Sequence, residues 1–100
     1  MTVTIKTKAE LEQEALEAWR SSCKVTPAQA KRALLRAGLL DEVEAIMADE
    51  NTDREIKIAW EYSATFDRSS DLIEALQSHP TIDLTDEQVD DIFRTAKTIG

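Results

Sequence analysis

Apolar residues recur at helical spacing through six segments of the chain, and the breaks between them fall at helix-stop or helix-start residues. The first segment, from about Thr7 to Ser22, places Leu11, Ala15, Ala18, Trp19 and Ser22 on one face with Leu16 and Cys23 beside them. The second opens at Thr26-Pro27, a capping threonine followed by proline at the first helical position, where a missing N–H is harmless. Its stripe of Ala30, Ala33, Leu34 and Ala37 is narrow and small, and Gly38 is placed to end it in a left-handed cap. Leu39, Leu40, Val43, Ile46 and Met47 restart the period and predict a third helix to about Ala48. A fifth helix begins near Ser69 or Ser70, carries Leu72, Ile73 and Leu76, and stops before His79-Pro80. After the connector Thr81–Leu84, a last helix opens at Thr85 and carries Val89, Ile92, Phe93 and Ala96.

The fourth segment, from about Asp53 to Phe66, is unlike the others. At 100° per residue, Ile58, Tyr62, Phe66, Ala59, Ser63, Ile56 and Trp60 cover an arc of roughly 200°. Two arrangements satisfy so wide an arc: a central helix surrounded by the others, which is the preferred expectation, or a helix that turns part of its arc toward a partner. Trp and Tyr dominate binding hot spots, so this aromatic cluster is the chain's interface candidate.

Helix starts are marked independently. Thr7/Glu10, Thr26/Gln29, Thr52/Glu55 and Thr85/Gln88 each have the spacing of a capping box, in which the threonine hydroxyl and the Glu or Gln side chain satisfy each other's backbone N–H groups. The expectation is an all-α fold: a compact bundle of five to six short helices forming one domain over residues 7–100, preceded by an extended arm at 1–6. In that arm Val3 and Ile5 alternate with β-branched threonines, so they form either a frayed arm or loose cover over the core, or a strand that adds to a sheet edge of another protein. No internal repeat is visible.

Composition agrees. The chain has 100 residues, 42% of them hydrophobic, with two glycines and two prolines, too apolar for disorder and too poor in turn formers for a sandwich of short strands. Neither a membrane-spanning run nor a signal-peptide layout is present, which predicts a soluble, intracellular protein. The lone Cys23 fits a reducing compartment.

Charge narrows the function classes. The formal net charge is −8, and the C-terminal half holds most of the acidic excess, which repels nucleic acid at long range. The close pair formed by the second and third helices resembles a helix-turn-helix in spacing, yet the would-be recognition helix offers Asp41, Glu42, Glu44, Asp49 and Glu50 and no base. Lys31, Arg32 and Arg36 on the preceding helix are read as a solvated face or as partners of that acidic helix. Enzyme chemistry has little to stand on, because Cys23 and His79 lack a partner motif. Carboxylate pairs such as Asp86/Asp90 and Glu87/Asp91 are expected on any acidic helix surface. One Cys and one His do not make a zinc site, and Gly38 and Gly100 do not make a phosphate or calcium loop. The expectation is a protein that is not an enzyme and has no cofactor and no metal.

Three blocks carry a resemblance. They are Thr26-Pro27-x-Gln29-Ala30-x-x-Ala33-Leu34-Leu35-x-Ala37-Gly38-Leu39-Leu40-Asp41, then Ile58-Ala59-Trp60-Glu61-Tyr62 with Phe66 and Arg68, then Leu84-Thr85-Asp86-Glu87-Gln88-Val89-Asp90 with Phe93. From about Val25 to Ala96 the chain resembles small helical proteins encoded among the tail and tail-fibre genes of tailed bacteriophages and prophages. Residues 1–24 and the His79-Pro80-Thr81-Ile82 insertion fall outside it. The resemblance implies a part in building or decorating the phage tail, in the host cytoplasm during assembly or in the virion tail.

Two functions follow as expectations. In the first, the protein is a tail-fibre-associated adaptor or assembly chaperone that binds a phage tail or tail-fibre protein through Ile58, Tyr62, Trp60 and Phe66, with Val3 and Ile5 as a docking arm. In the alternative, it is an acidic inhibitor of a host defence or DNA-binding protein. A third and plainer expectation is a structural subunit of the virion; self-association as a homo-oligomer stays open, and nucleic acid and membrane are not expected partners.

Overall fold

Helix starts are built as the threonines predict, with one exception. A computed structural model describes residues 5–99. Six helices follow one another: α1 Lys8–Ser22, α2 Pro27–Ala37, α3 Leu40–Ala48, α4 Arg54–Tyr62, α5 Asp71–Ser78 and α6 Asp86–Thr98. Thr26 and Thr85 form complete capping boxes with Gln29 and Gln88. Thr7 makes half of one, its hydroxyl accepting from the Glu10 N–H at 3.2 Å. Thr52 is the exception: its hydroxyl donates to the Ile46 carbonyl at 2.5 Å, and Asp53 caps α4 instead by accepting from the Glu55 N–H. Gly38 ends α2 at φ 76°, the left-handed cap that its position predicts. Ser70 caps α5.

Two short strands join the helices, β1 Lys24–Val25 and β2 Phe66–Asp67. They pair antiparallel with Lys24 opposite Asp67 and Val25 opposite Phe66, and the Arg68 N–H extends the ladder to the Cys23 carbonyl at 2.9 Å. This ladder was not expected. It also corrects the predicted end of the fourth helix, which stops at Tyr62 rather than Phe66: Ser63 turns to an extended conformation, and Phe66 leaves the helix to pair with Val25.

The centre of the bundle is the contact between α2 and α6, not α4. Ala30 and Ala33 give α2 a flat face, against which Val89, Phe93 and Ala96 of α6 pack with Val43, Ile46, Leu72, Leu76 and Ile82 around them. Small residues on α2 allow the close approach that the sequence anticipates.

α1 stands apart. None of its residues is buried, although Trp19 and Arg20 in its last turns are partly covered. The predicted apolar stripe therefore does not enter the core over the first two-thirds of the helix. This projection lengthens the molecule to 57 Å against 31 and 23 Å, and raises the radius of gyration to 15.6 Å, above the roughly 13 Å of a compact chain of this length. Among the described residues no helix is long and apolar enough to cross a membrane.

Candidate functional site

The wide apolar arc of α4 divides into two faces. Ile56, Ala59 and Trp60 turn inward, where Trp60 is 7% exposed, while Ile58 and Tyr62 point to solvent at 51% and 77%. The preferred expectation of a central helix is thus corrected, because α4 lies on the edge of the bundle. Its exposed ridge is formed by residues one turn apart, which bring a branched aliphatic and a phenol side by side.

Two of the six candidate interface residues are unavailable to a partner. Trp60 and the 2% exposed Phe66 stack on one another with ring centroids 5.5 Å apart and an interplanar angle of 28°. Both belong to the core because Phe66, once in β2, is drawn under α4 by its pairing with Val25. Lys31 closes the stack from α2, its Nζ 5.0 Å from the Trp60 ring centre. That is a different use from the expected pairing with the acidic third helix. Ile5 is exposed ahead of α1, and Val3 lies outside the described residues. The structure therefore unites Ile58 with Tyr62 and Trp60 with Phe66, on opposite sides of one helix.

A buried ion cluster occupies the junction of α1, the ladder and α6. Asp90, 2% exposed, accepts hydrogen bonds from two arginines. Arg20 Nε donates to Oδ1 at 3.0 Å and to Oδ2 at 3.2 Å, and its Nη2 donates to Oδ2 at 2.7 Å. Arg68 Nε donates to Oδ1 at 2.9 Å. Arg68 Nη2 also donates to the Asp86 carbonyl at 3.4 Å and lies 3.5 Å from the Asp86 carboxylate. This corrects the expectation that Asp86 and Asp90 are both solvated. Burial works to raise the Asp90 carboxyl, but the hydrogen bonds and charges of Arg20 and Arg68 outweigh it and hold the group below its ordinary range. Asp86 is likewise held low, by its hydrogen bond from Gln77 and the two nearby arginines.

The fork geometry clamps α1 onto the bundle. Arg20 fixes the last turn of α1 to α6, and the Arg94 guanidinium of α6 stacks 4.8 Å over the Trp19 ring. From the sequence alone Asp90 reads as solvated, because it is acidic on an acidic helix. Its signal was position, since it follows Val89 directly and precedes Phe93 by one turn, on the margin of the buried stripe.

Cys23 is buried in the core, and burial pushes its thiol up. His79 caps α5 and accepts from the Thr81 N–H through Nδ1. Among the described residues no group of three or more His, Cys, Asp or Glu side chains is arranged to hold a metal ion. A core crevice of about 40 Å³ lies between α2 and α6, lined by Val25, Ala30, Trp60, Phe66, Phe93 and their neighbours, and it is apolar.

No protein-family model, no curated protein and no solved structure matches this chain.

Proposed function

We propose that this chain is a non-enzymatic, protein-binding component of a tailed bacteriophage, a tail-fibre-associated adaptor or assembly chaperone. The observation that carries the reading is the Ile58/Tyr62 ridge of α4, whose opposite side is locked by the Trp60–Phe66 stack. A ridge held this way presents two exposed side chains, an aliphatic and a phenol, on a helix that is already packed on its other side, and low ordering cost is what turns contact into affinity. The direction toward phage tails comes from the resemblance of residues 25–96 alone.

The test is co-purification of the tagged chain expressed together with the tail and fibre proteins of its own phage, with bound species identified by mass. Recovery of a fibre or baseplate protein that is lost with the Ile58→Ala, Tyr62→Ala double variant supports the reading. Unchanged recovery with a folded double variant refutes the surface. Recovery of a host nuclease or DNA-binding protein, with binding that fades as salt rises, reassigns the chain as an acidic inhibitor.

A further inference from the structure

His79, the chain's one histidine, anchors the connector between α5 and α6. Its carbonyl accepts from the Ile82 N–H at 3.0 Å and from the Asp83 N–H at 2.8 Å, and its ring accepts from the Thr81 N–H through Nδ1 at 3.1 Å. The Leu84 N–H adds a fourth bond, to the Gln77 carbonyl at 3.1 Å. Together they hold a strained shape, since Asp83 sits at φ 43°, in the left-handed region that an L residue enters at a cost. What they keep in place is part of the core. Ile82, 8% exposed, and Leu84 line the apolar crevice together with Trp60, Phe66 and Phe93.

Three of these bonds join backbone groups and are indifferent to pH; the bond to the ring is not. An imidazole changes charge between about pH 5 and 8, and once both of its nitrogens carry a proton neither can accept. The Thr81 N–H would then face a second donor at Nδ1, and the contact opens. The ring has somewhere to turn. His79 lies in a surface hollow with Asp49 and Asp53, which the connection between α3 and α4 places over Ile46, Ile56 and Leu76. Each carboxylate uses Oδ1 for a backbone N–H, that of Asn51 or of Glu55. Apart from His79, every titratable side chain that lines this hollow is a carboxylate, as are those of α5 and the connector, Asp71, Glu74 and Asp83.

We propose that His79 is a proton-operated latch. The neutral ring pins the connector over the apolar crevice; the imidazolium releases Thr81, turns toward Asp49 and Asp53, and loosens the cover that carries Ile82.

Nuclear magnetic resonance of the full chain between pH 8 and 5 tests this. At pH 8 the His79 ring carries its proton on Nε2, since Nδ1 is the acceptor. As pH falls, the Thr81 amide proton moves upfield with the same midpoint as the His79 ring. Protection of the Ile82 and Asp83 amides, taken relative to the unfolded chain at each pH, falls about threefold to tenfold, the range that one lost hydrogen bond accounts for. The Phe93 amide within α6 keeps its protection. In His79→Asn the side-chain oxygen accepts from the N–H two residues on and does not titrate, so the connector stays closed across the whole range. A ring protonated on Nδ1 at pH 8 overturns the proposal. So does a Thr81 amide that ignores the titration of the ring, or a pH response that survives in His79→Asn. Should that variant not fold, the titration of the native chain decides by itself.

Discussion

Replacing Asp90 with alanine removes the carboxylate that the buried Arg68 and the partly covered Arg20 share. Its side chain accepts four hydrogen bonds at 2.7 to 3.2 Å. After the substitution Arg68 keeps only its longer contacts to Asp86, at 3.4 and 3.5 Å, while Arg20 is shallow enough to swing toward water. Breaking a buried pair in this manner costs about 3–5 kcal/mol, mostly as the penalty for the uncompensated charge left behind. Because Arg68 retains a partner and Arg20 can rehydrate, the lower end, about 3 kcal/mol, is expected. In a domain of this size each kcal/mol moves the thermal midpoint by about 4–8 °C, so a fall of more than about 10 °C follows. Urea unfolding followed by Trp fluorescence and by circular dichroism measures it. Should the variant prove unfolded in water, Arg20→Met reports on the same cluster more gently, with about 1.5–3 kcal/mol for the loss of hydrogen bonds to a charged group. In Arg20→Met, protease cleavage within α1 accelerates as well, since its clamp is gone. A loss below about 1 kcal/mol in Asp90→Ala would show that the cluster is solvated in solution, and the account of how α1 is held would fall with it.

Acid unfolding carries the same signature. Asp90 and Asp86 are held below the ordinary carboxylate value in the folded state, so their contribution is present above about pH 4 and is lost as pH falls through their lower folded values, where the unfolded chain binds more protons. Stability measured against pH declines less steeply below pH 4 in Asp90→Asn, and an unaltered slope would refute the assignment. Gly38→Ala destabilises by about 1–2 kcal/mol through backbone strain alone, because φ is +76° and no atom lies within 4 Å of the added Cβ; an unchanged urea midpoint would contradict this. Cys23 resists alkylation at neutral pH in the folded chain and reacts on unfolding, and rapid labelling of the native protein would show that the ladder opens locally.

The helices were legible because their signals are local. Thr26-Pro27, Gly38, Ser70 and Thr85 act on backbone groups within a turn of themselves, and each does in the fold what its type and spacing predict. Thr52 failed for a reason equally local: Asp53, one residue on, is also a strong cap, and it displaces the threonine, which then donates back to α3. What the pattern could not supply was partner choice. The stripe of α1 is periodic whether or not anything covers it, and the arc of α4 is equally wide whether one side or both are buried. Phe66 continued that arc on a helical wheel, and only its pairing with Val25, far away in sequence, took it out of the helix. Of the candidate interface residues, Ile58 and Tyr62 are available and Trp60 and Phe66 are not, a distinction that periodicity does not encode.

The ladder between Val25 and Phe66 is small in hydrogen bonds and large in topology. Its partners are about forty residues apart, and drawing the ends of such a loop together costs roughly 3 kcal/mol, which a few backbone hydrogen bonds at about 1 kcal/mol each no more than offset. The closure holds because Val25, Phe66 and the Arg68–Asp90 contact are buried in the same act. Together with the α2–α6 contact and the Arg20–Asp90 clamp, this seam is a long-range closure, and it joins the end of α1 to the segment between α4 and α5. Amide exchange should reveal it: the Arg68 N–H, donated to Cys23 across the seam, exchanges only when the entire domain opens, while the amides at the start of α1 exchange with each fraying of that helix.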